Sequence, residues 1–109
     1  MSKREVYLYI TDIQDSIQKI EEYTKNLTFD DFLKDRKTID AVVRNLSVIG
    51  EAVKNIPEDT KLEYPDIPWN EIIGMRNKVI HEYFGIDEEI LWKTIKEELP
   101  IFKDQIKKI

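Results

Sequence analysis

The apolar residues of this chain recur at the spacing of an α-helix, and this periodicity constrains the fold more than any other feature of the sequence. Near the start, apolar side chains return at alternating steps of four and three residues: Val6, Ile10, Ile13, Ile17 and Ile20. Steps of this size place side chains on one face of a helix. The pattern predicts a long amphipathic helix that ends near residues 23–26.

A second stripe of the same kind predicts a helix from about Asp35 to Asn55. Its members are Ile39, Val42, Val43, Leu46, Ile49, Val53 and Ile56. Pro57 helps to end this helix, because the residue before a proline disfavours helical backbone angles. Between the two long helices, Thr28 is the predicted N-cap of a short helix over residues 27–33.

Three further segments complete the pattern. Residues 57–68 contain three prolines and should form a connection with at most one helical turn. A third helix is predicted over Trp69–Tyr83, with Gly85 as the C′ residue that stops it. The last helix begins near Asp87, and Pro100 should kink it or divide it into two pieces.

These segments leave no alternating pattern of the kind that predicts strands. We therefore predict an all-α fold: a four- to five-helix, mainly antiparallel bundle in a single domain over residues 1–109. Hydrophobic residues make up 41% of the 109-residue chain, enough to bury a real core. A domain of this size is marginally stable alone and often gains stability from oligomerisation.

Composition excludes several kinds of site. The chain has no cysteine, which removes disulfides, thiolate nucleophiles and cysteine-based metal sites. With His81 as the single histidine, we expect no metal site. The start of the chain lacks the apolar core of a signal peptide, and no apolar run reaches membrane-spanning length, so we expect a cytoplasmic protein with no membrane partner. A net charge of −5 argues against general coating of nucleic acids but permits one small basic pocket.

The third predicted helix breaks its own pattern at one residue, Arg76. At about 100° per residue, its apolar side chains share one broad arc, which consists of Trp69, Ile72, Ile73, Val79, Ile80, Tyr83 and Phe84. Arg76 falls at the centre of this arc. A guanidinium keeps its charge, so a buried one needs a carboxylate, a carbonyl, a partner subunit or a phosphate as acceptor. Within the chain, Glu51 and Asp40 are candidate acceptors.

Other polar residues lie close to Arg76 on the same predicted helix. His81 is placed about 140° around the axis from Arg76, and Asn77 lies one turn below His81. Gly74, on the His81 side, would let another backbone approach closely. Arg76 and His81 could therefore bracket a cleft, and two such helices facing across a two-fold axis would bring both pairs together.

Each of these residues also has an ordinary structural interpretation. Arg76 could form a buried ion pair, and His81 could be a hydrogen-bonded structural side chain. Asn77 could brace a loop, and Tyr83 could be a core aromatic residue with a solvated hydroxyl. Taken together, the residues alone indicate an anion-binding or phosphodiester-cleaving site.

The segment Ile67–Gly85 resembles the signature of the HepT-like branch of HEPN proteins. That signature is an arginine, four residues, a histidine, one residue and a tyrosine, here Arg76, His81 and Tyr83; an asparagine often follows the arginine, as Asn77 does. The similarity continues elsewhere, in Tyr7–Ile13, Asp35-Arg36, Thr38, Arg44-Asn45-Leu46, Ile49-Gly50-Glu51-Ala52, Trp92 and Glu98-Leu99-Pro100. It covers nearly the whole chain.

The resemblance implies a helical HEPN-type homodimer with a cleft to which both copies of the motif contribute. It implies an endoribonuclease that needs no metal or other cofactor, cleaves RNA and acts as the toxin of a toxin–antitoxin module. Arg76 and His81 would be catalytic and Asn77 supporting. The implied partner is an MntA-type minimal nucleotidyltransferase antitoxin, which would neutralise the nuclease by AMPylation of Tyr83. The alternative is a catalytically silent HEPN module that associates with a nucleotidyltransferase or binds nucleotides.

Overall fold

Two long helices, α1 (Lys3–Thr24) and α3 (Arg36–Asn55), form the centre of the fold. The computed structural model describes residues 2–81 and 85–109, and of His81 it describes only the backbone. The apolar stripes of α1 and α3 are almost fully buried against each other and the other helices, at Ile10, Ile13, Ile17, Ile20, Ile39, Val42, Leu46, Ile49 and Val53. Both long helices confirm the prediction from periodicity.

Hydrogen-bonded caps define the short helix α2 (Phe29–Leu33) and the start of α3. Thr28 caps α2 in a reciprocal box, because its hydroxyl accepts from the Asp31 N–H and the Asp31 carboxylate accepts from the Thr28 N–H, each at 3.1 Å. Asp35 caps α3 by accepting from the N–H of Thr38 at 3.1 Å. The predicted role of Thr28 is confirmed.

The proline-containing connection after α3 includes helix α4 (Glu58–Glu63), which is somewhat longer than the single turn predicted. Trp69 holds the C-terminal end of α4 in place. The indole Nε1 donates to the carbonyls of Lys61 and Tyr64, both at 3.1 Å, while the ring is 8% exposed. This places the first residue of the next helix directly against α4.

The third predicted helix is shorter than the sequence indicated and is divided. Helices α5 (Trp69–Ile73) and α6 (Met75–Val79) are separated at Gly74, and the chain then becomes extended in strand β1 (Ile80–His81). β1 pairs antiparallel with β2 (Gly85–Ile86), and the Asp87 N–H donates to the Val79 carbonyl at 2.7 Å. The prediction of a helix to Tyr83 is therefore wrong.

Gly85 also has a different role from the one predicted. It is not the C′ residue of a helix, since α6 ends at Val79 and Gly85 belongs to β2. Its φ of +81° lies in the left-handed region, which glycine adopts without the steric cost of a Cβ. The glycine thus serves the return of the chain to β1 rather than the end of a helix.

The last helical region confirms the predicted disturbance at Pro100. It consists of α7 (Glu88–Lys93), a π-helical turn (Thr94–Glu98) and α8 (Leu99–Ile106). In this turn the Leu99 N–H donates to the Thr94 carbonyl, five residues back. Pro100 has no N–H to donate and its ring crowds the preceding turn, so a wider turn accommodates it.

The all-α class is confirmed, with the paired residues of β1 and β2 as a minor addition. The described ranges contain the helical segments α1–α8, more than the four to five predicted, because the third and last predicted helices are each divided and α4 forms in the connection. The core draws residues from both long helices and from α2, α5, α6, α7 and α8. No helix in the described parts of the chain is both long enough and apolar enough to cross a membrane.

Candidate functional site

Helix α6, which carries Arg76 and Asn77, is seated against α3 through a close backbone approach. A Cβ on Gly50 of α3 would lie only 3.3 Å from the Ile73 carbonyl oxygen at the end of α5. On α6 itself, Met75 (5% exposed) and Val79 (0%) face the core. These contacts fix the position of the helix and leave its other faces for polar residues.

Arg76 is exposed, which corrects the prediction that it lies at the centre of a buried arc. That arc included Ile80, Tyr83 and Phe84 as helical residues, but the helix ends at Val79. The buried face of α6 is set by Met75 and Val79, and Arg76 lies about 60–100° away from them around the axis. The guanidinium therefore keeps access to solvent and does not need a buried acceptor.

The side chain of Arg76 contacts its neighbour on α6. Its Nη1 donates to the Asn77 Oδ1 at 3.4 Å, a long bond between two exposed groups. This bond places the Asn77 amide beside the guanidinium, and the supporting role of Asn77 stays a prediction. The bond is long and uses one of the five guanidinium N–H groups, so the others remain available to an anion.

Arg76 lines a groove between α6 and α3. The groove has a volume of about 570 Å³, and its other lining residues all come from α3: Asp40, Val43, Arg44, Ser47, Val48 and Glu51. It therefore contains both carboxylates that the sequence suggested as partners of Arg76. Within the described residues, however, Arg76 has no carboxylate oxygen within 4 Å, so the suggested ion pairs do not form.

The structure describes the other motif residues less fully. The backbone of His81 lies in β1 opposite Gly85, two residues beyond the end of α6, so Arg76 and His81 belong to different elements. The prediction that both residues lie on one helix, about 140° apart around its axis, is therefore wrong, because the backbone is already extended at Ile80. Tyr83, the predicted acceptor of AMP, lies outside the described residues.

Gly74 does not have the role predicted for it within this chain. A Cβ at Gly74 would meet only the Asn70 and Glu71 carbonyl oxygens of the preceding turn, at 3.5 and 3.8 Å. Gly50, which the motif-based argument passed over, provides the close helix approach instead. On another face of α6, Lys78 forms an ion pair with Glu98 at 3.2 Å and ties the helix to the π-helical turn.

Arg44 is a candidate functional residue that the motif-based argument did not single out. Its position could have been found from the sequence, since Asp40, Arg44 and Glu51 recur at helical spacing on the same side of α3.

The sequence also led us to expect no metal site. Among the side chains that the structure describes, in residues 2–80 and 85–109, no three carboxylates gather closely enough to hold a metal ion.

Comparison with known families decides the class of this protein. A family model described as "Ribonuclease HepT-like" matches residues 13–109. The chain belongs to the HepT-like ribonuclease family. Membership makes it an enzyme of the ribonuclease class, and the resemblance noted from the Arg76-to-Tyr83 motif is confirmed.

Individual relatives of this HepT-like chain agree with the family match. A protein of Thermococcus cleftensis named "Probable ribonuclease HepT" is 52% identical, covering 93% of this chain and 92% of the relative. A protein of Methanocaldococcus jannaschii is 47% identical over 92% of this chain and 83% of its own length. One from Caldanaerobacter subterraneus subsp. tengcongensis is 44% identical over 93% and 90%. The last two are named "Putative RNase". No solved structure matches the chain.

Proposed function

We propose that this HepT-like protein is a metal-independent endoribonuclease in which Arg76 and His81 are catalytic. The observation that carries the proposal is the state of Arg76. It is exposed on the wall of a groove, and no described carboxylate neutralises it. An arginine without a carboxylate partner keeps most of its N–H donors open to a phosphate, for which its forked geometry is well suited.

The proposed reaction uses the RNA's own 2′-hydroxyl as nucleophile. The O2′–P bond forms and the P–O5′ bond breaks, while a base takes the 2′ proton and an acid protonates the departing 5′ oxygen. A free histidine side chain has a pKa near 6.5, so this residue type suits proton transfer at neutral pH, and His81 is the single histidine of the chain. Arg76 stabilises the extra negative charge of the phosphorane. The products are a 2′,3′-cyclic phosphate and a 5′-hydroxyl.

We propose that the active form is a two-fold homodimer whose cleft contains both copies of the motif. The family resemblance supports this, and so does the outer face of α3. Val48 is 36% exposed beside Arg76 in the groove, and acidic and basic side chains alternate around it. Such a face can meet its own copy across a two-fold axis. Sedimentation equilibrium should find a dimer, and a dilution that dissociates it should abolish cleavage.

We further propose that the protein is the toxin of a toxin–antitoxin module, neutralised when an MntA-type nucleotidyltransferase transfers AMP onto Tyr83. This part rests on the motif resemblance. AMP at this position would add bulk and negative charge two residues from His81, where it would compete with RNA phosphate. Intact mass measurement after co-expression with the neighbouring nucleotidyltransferase should show one or more added AMP units on Tyr83.

The second candidate function is a binding module that no longer cleaves RNA. The net charge of −5 favours it, because an acidic protein attracts RNA weakly. A cleavage assay separates the two candidates. Wild type should cut a mixed RNA substrate, His81→Ala should lose at least about 10²-fold in rate, and Lys54→Ala, which removes an exposed charge from α3, should match wild type. Binding without cleavage by wild type would favour the module.

A further inference from the structure

Two arginines line the groove between α3 and α6. Arg44 and Arg76 are both exposed, and within the described residues neither has a carboxylate oxygen within 4 Å. Asp40, which also lines the groove, instead contacts Arg36 at 3.9 Å. Of the chain's four arginines, two therefore stand in one groove without a described ionic partner. An acidic chain that leaves two guanidinium groups in one place has a localised anion site rather than a basic surface.

The charges along α3 limit the length of this site. At about 1.5 Å per residue, Asp40 lies roughly 6 Å before Arg44 along the helix axis and Glu51 roughly 10 Å after it. The cationic centre is thus bounded by a carboxylate at each end. Ser47, between them, donates its hydroxyl to the Val43 carbonyl at 3.2 Å, so the donors free for an anion in the middle of the groove come from the arginines.

We propose that Arg44 binds a phosphate of the RNA substrate adjacent to the one held by Arg76, so that α3 supplies half of the substrate-binding groove. The inference rests on the proposed ribonuclease function and assigns a substrate-binding residue to it. The carboxylates at the ends repel further phosphates, and the groove therefore holds a short segment of single strand rather than a long duplex. Arg44 acts in binding, whereas Arg76 acts on the charge that develops during cleavage.

The test measures binding apart from cleavage. A 2′-O-methyl oligoribonucleotide keeps the phosphates but has no free 2′-hydroxyl to attack phosphorus, and its Kd is measured across a range of salt concentrations. Arg44→Gln should weaken binding about tenfold at low salt. It should also reduce the slope of log K against log salt by about 0.7, the loss of one phosphate contact on a single strand. Arg44→Lys keeps the charge and should preserve the slope.

The matched control is Lys54→Gln, which removes one positive charge from α3 outside the groove and should leave both quantities unchanged. Binding by Arg44→Gln with the affinity and slope of wild type would overturn the inference while leaving Arg76 and His81 as proposed. So would a variant that is monomeric where wild type is dimeric, since Arg44 would then serve the contact between subunits. Failure of wild type to cleave any RNA would be failure of the proposed function itself.

Discussion

Among single residues, Arg76 is the one whose substitution should change the rate of RNA cleavage without changing the stability of the fold. Its side chain is exposed and makes one long hydrogen bond, to Asn77, so removing it leaves the core untouched. We expect Arg76→Ala to lower the rate of RNA cleavage by about 10²–10³-fold, the usual cost of losing a preorganised donor to a developing negative charge. Its thermal unfolding midpoint should stay within about 1–2 °C of wild type, as for most exposed positions. A variant that cleaves normally, or one that unfolds, would contradict this assignment.

Tyr83 should separate regulation from catalysis. A free tyrosine side chain has a pKa near 10 and is a poor base at neutral pH, so we expect Tyr83→Phe to retain most of the RNase activity. The variant lacks the hydroxyl that would receive AMP. In growth assays with both genes, it should be toxic even when the nucleotidyltransferase is present. Full rescue of cells that carry Tyr83→Phe would show that neutralisation works by complex formation alone.

The sequence was enough to recognise the family, but it did not predict the surroundings of the motif residues correctly. The spacing of arginine, histidine and tyrosine identified the family, because that pattern is a property of the chain alone. The environment of Arg76 was predicted wrongly, because a helical projection assumes that the helix continues. α6 ends at Val79 and Ile80 is already extended, so the buried helical arc expected around Arg76 does not continue. Helical spacing puts Arg44 on one side of α3 with Asp40 and Glu51, but the groove that it shares with Arg76 depends on the contact between α3 and α6, which no local pattern records.

At the scale of elements, the seating of α5 and α6 on α3 depends on Gly50. A Cβ at this position would lie 3.3 Å from the Ile73 carbonyl oxygen, and the branched side chain of valine would intrude further. We expect Gly50→Val to destabilise the fold by about 1–3 kcal/mol, as overpacking does, and to lower cleavage by displacing α6. Gly74→Ala is the matched control, because its Cβ would make ordinary contacts at 3.5 Å. Equal effects of the two substitutions in denaturant unfolding would refute the argument.

The N-cap of α3 makes a prediction about pH. Hydrogen bonds from the hydroxyl and then the N–H of Thr38 hold the pKa of Asp35 below its ordinary value of 3.8. Because the folded pKa is the lower one, the ionised carboxylate stabilises the fold above about pH 4, and this contribution is lost as the pH falls through the folded pKa. Asp35→Asn keeps a capping oxygen but no charge. At pH 7 the thermal unfolding midpoint of this variant should be lower than that of wild type. The difference between the two midpoints should disappear as the pH falls through the folded pKa of Asp35, because wild type then loses the charge as well.

A control for the cap is Asp12→Asn, which removes an exposed carboxylate from α1. This variant should show no pH-dependent gap from wild type of the kind expected at Asp35. If Asp35→Asn were less stable than wild type by the same amount at every pH, the charge of the carboxylate would have no part in the cap.

The periodicity of the sequence predicted the helices with long apolar stripes, but it did not predict the short elements near the site. α1 and α3 are each 20 residues or longer, so several consecutive turns agree on one buried face. The last residue of α6, Val79, and the residue after it, Ile80, are β-branched and suit extended backbone as well as a helix. The pairing of Ile80 with Ile86 decides between them, and that pairing lies beyond any window of local periodicity.

Considered as a whole molecule, this acidic protein must attract a substrate that is itself negatively charged. A net charge of −5 requires that attraction be local, and the groove with Arg44 and Arg76 supplies a local cationic centre on an exposed face. The same face is the surface that we propose to pair with a second copy. Catalysis, substrate binding and assembly would therefore depend on one side of the molecule, where α3 and α6 meet.

We propose that the RNA's own 2′-hydroxyl cleaves the chain with the help of protein groups alone. The chemical groups at the termini of the product fragments provide the sharpest test of this mechanism. Purified wild-type protein is incubated with RNA in excess EDTA, and the fragment termini are identified by mass spectrometry. We expect full cleavage, with a 5′-hydroxyl on one fragment and a 2′,3′-cyclic phosphate or its 3′-phosphate hydrolysis product on the other. Cleavage that requires added magnesium, or fragments that carry a 5′-phosphate and a 3′-hydroxyl, would contradict it.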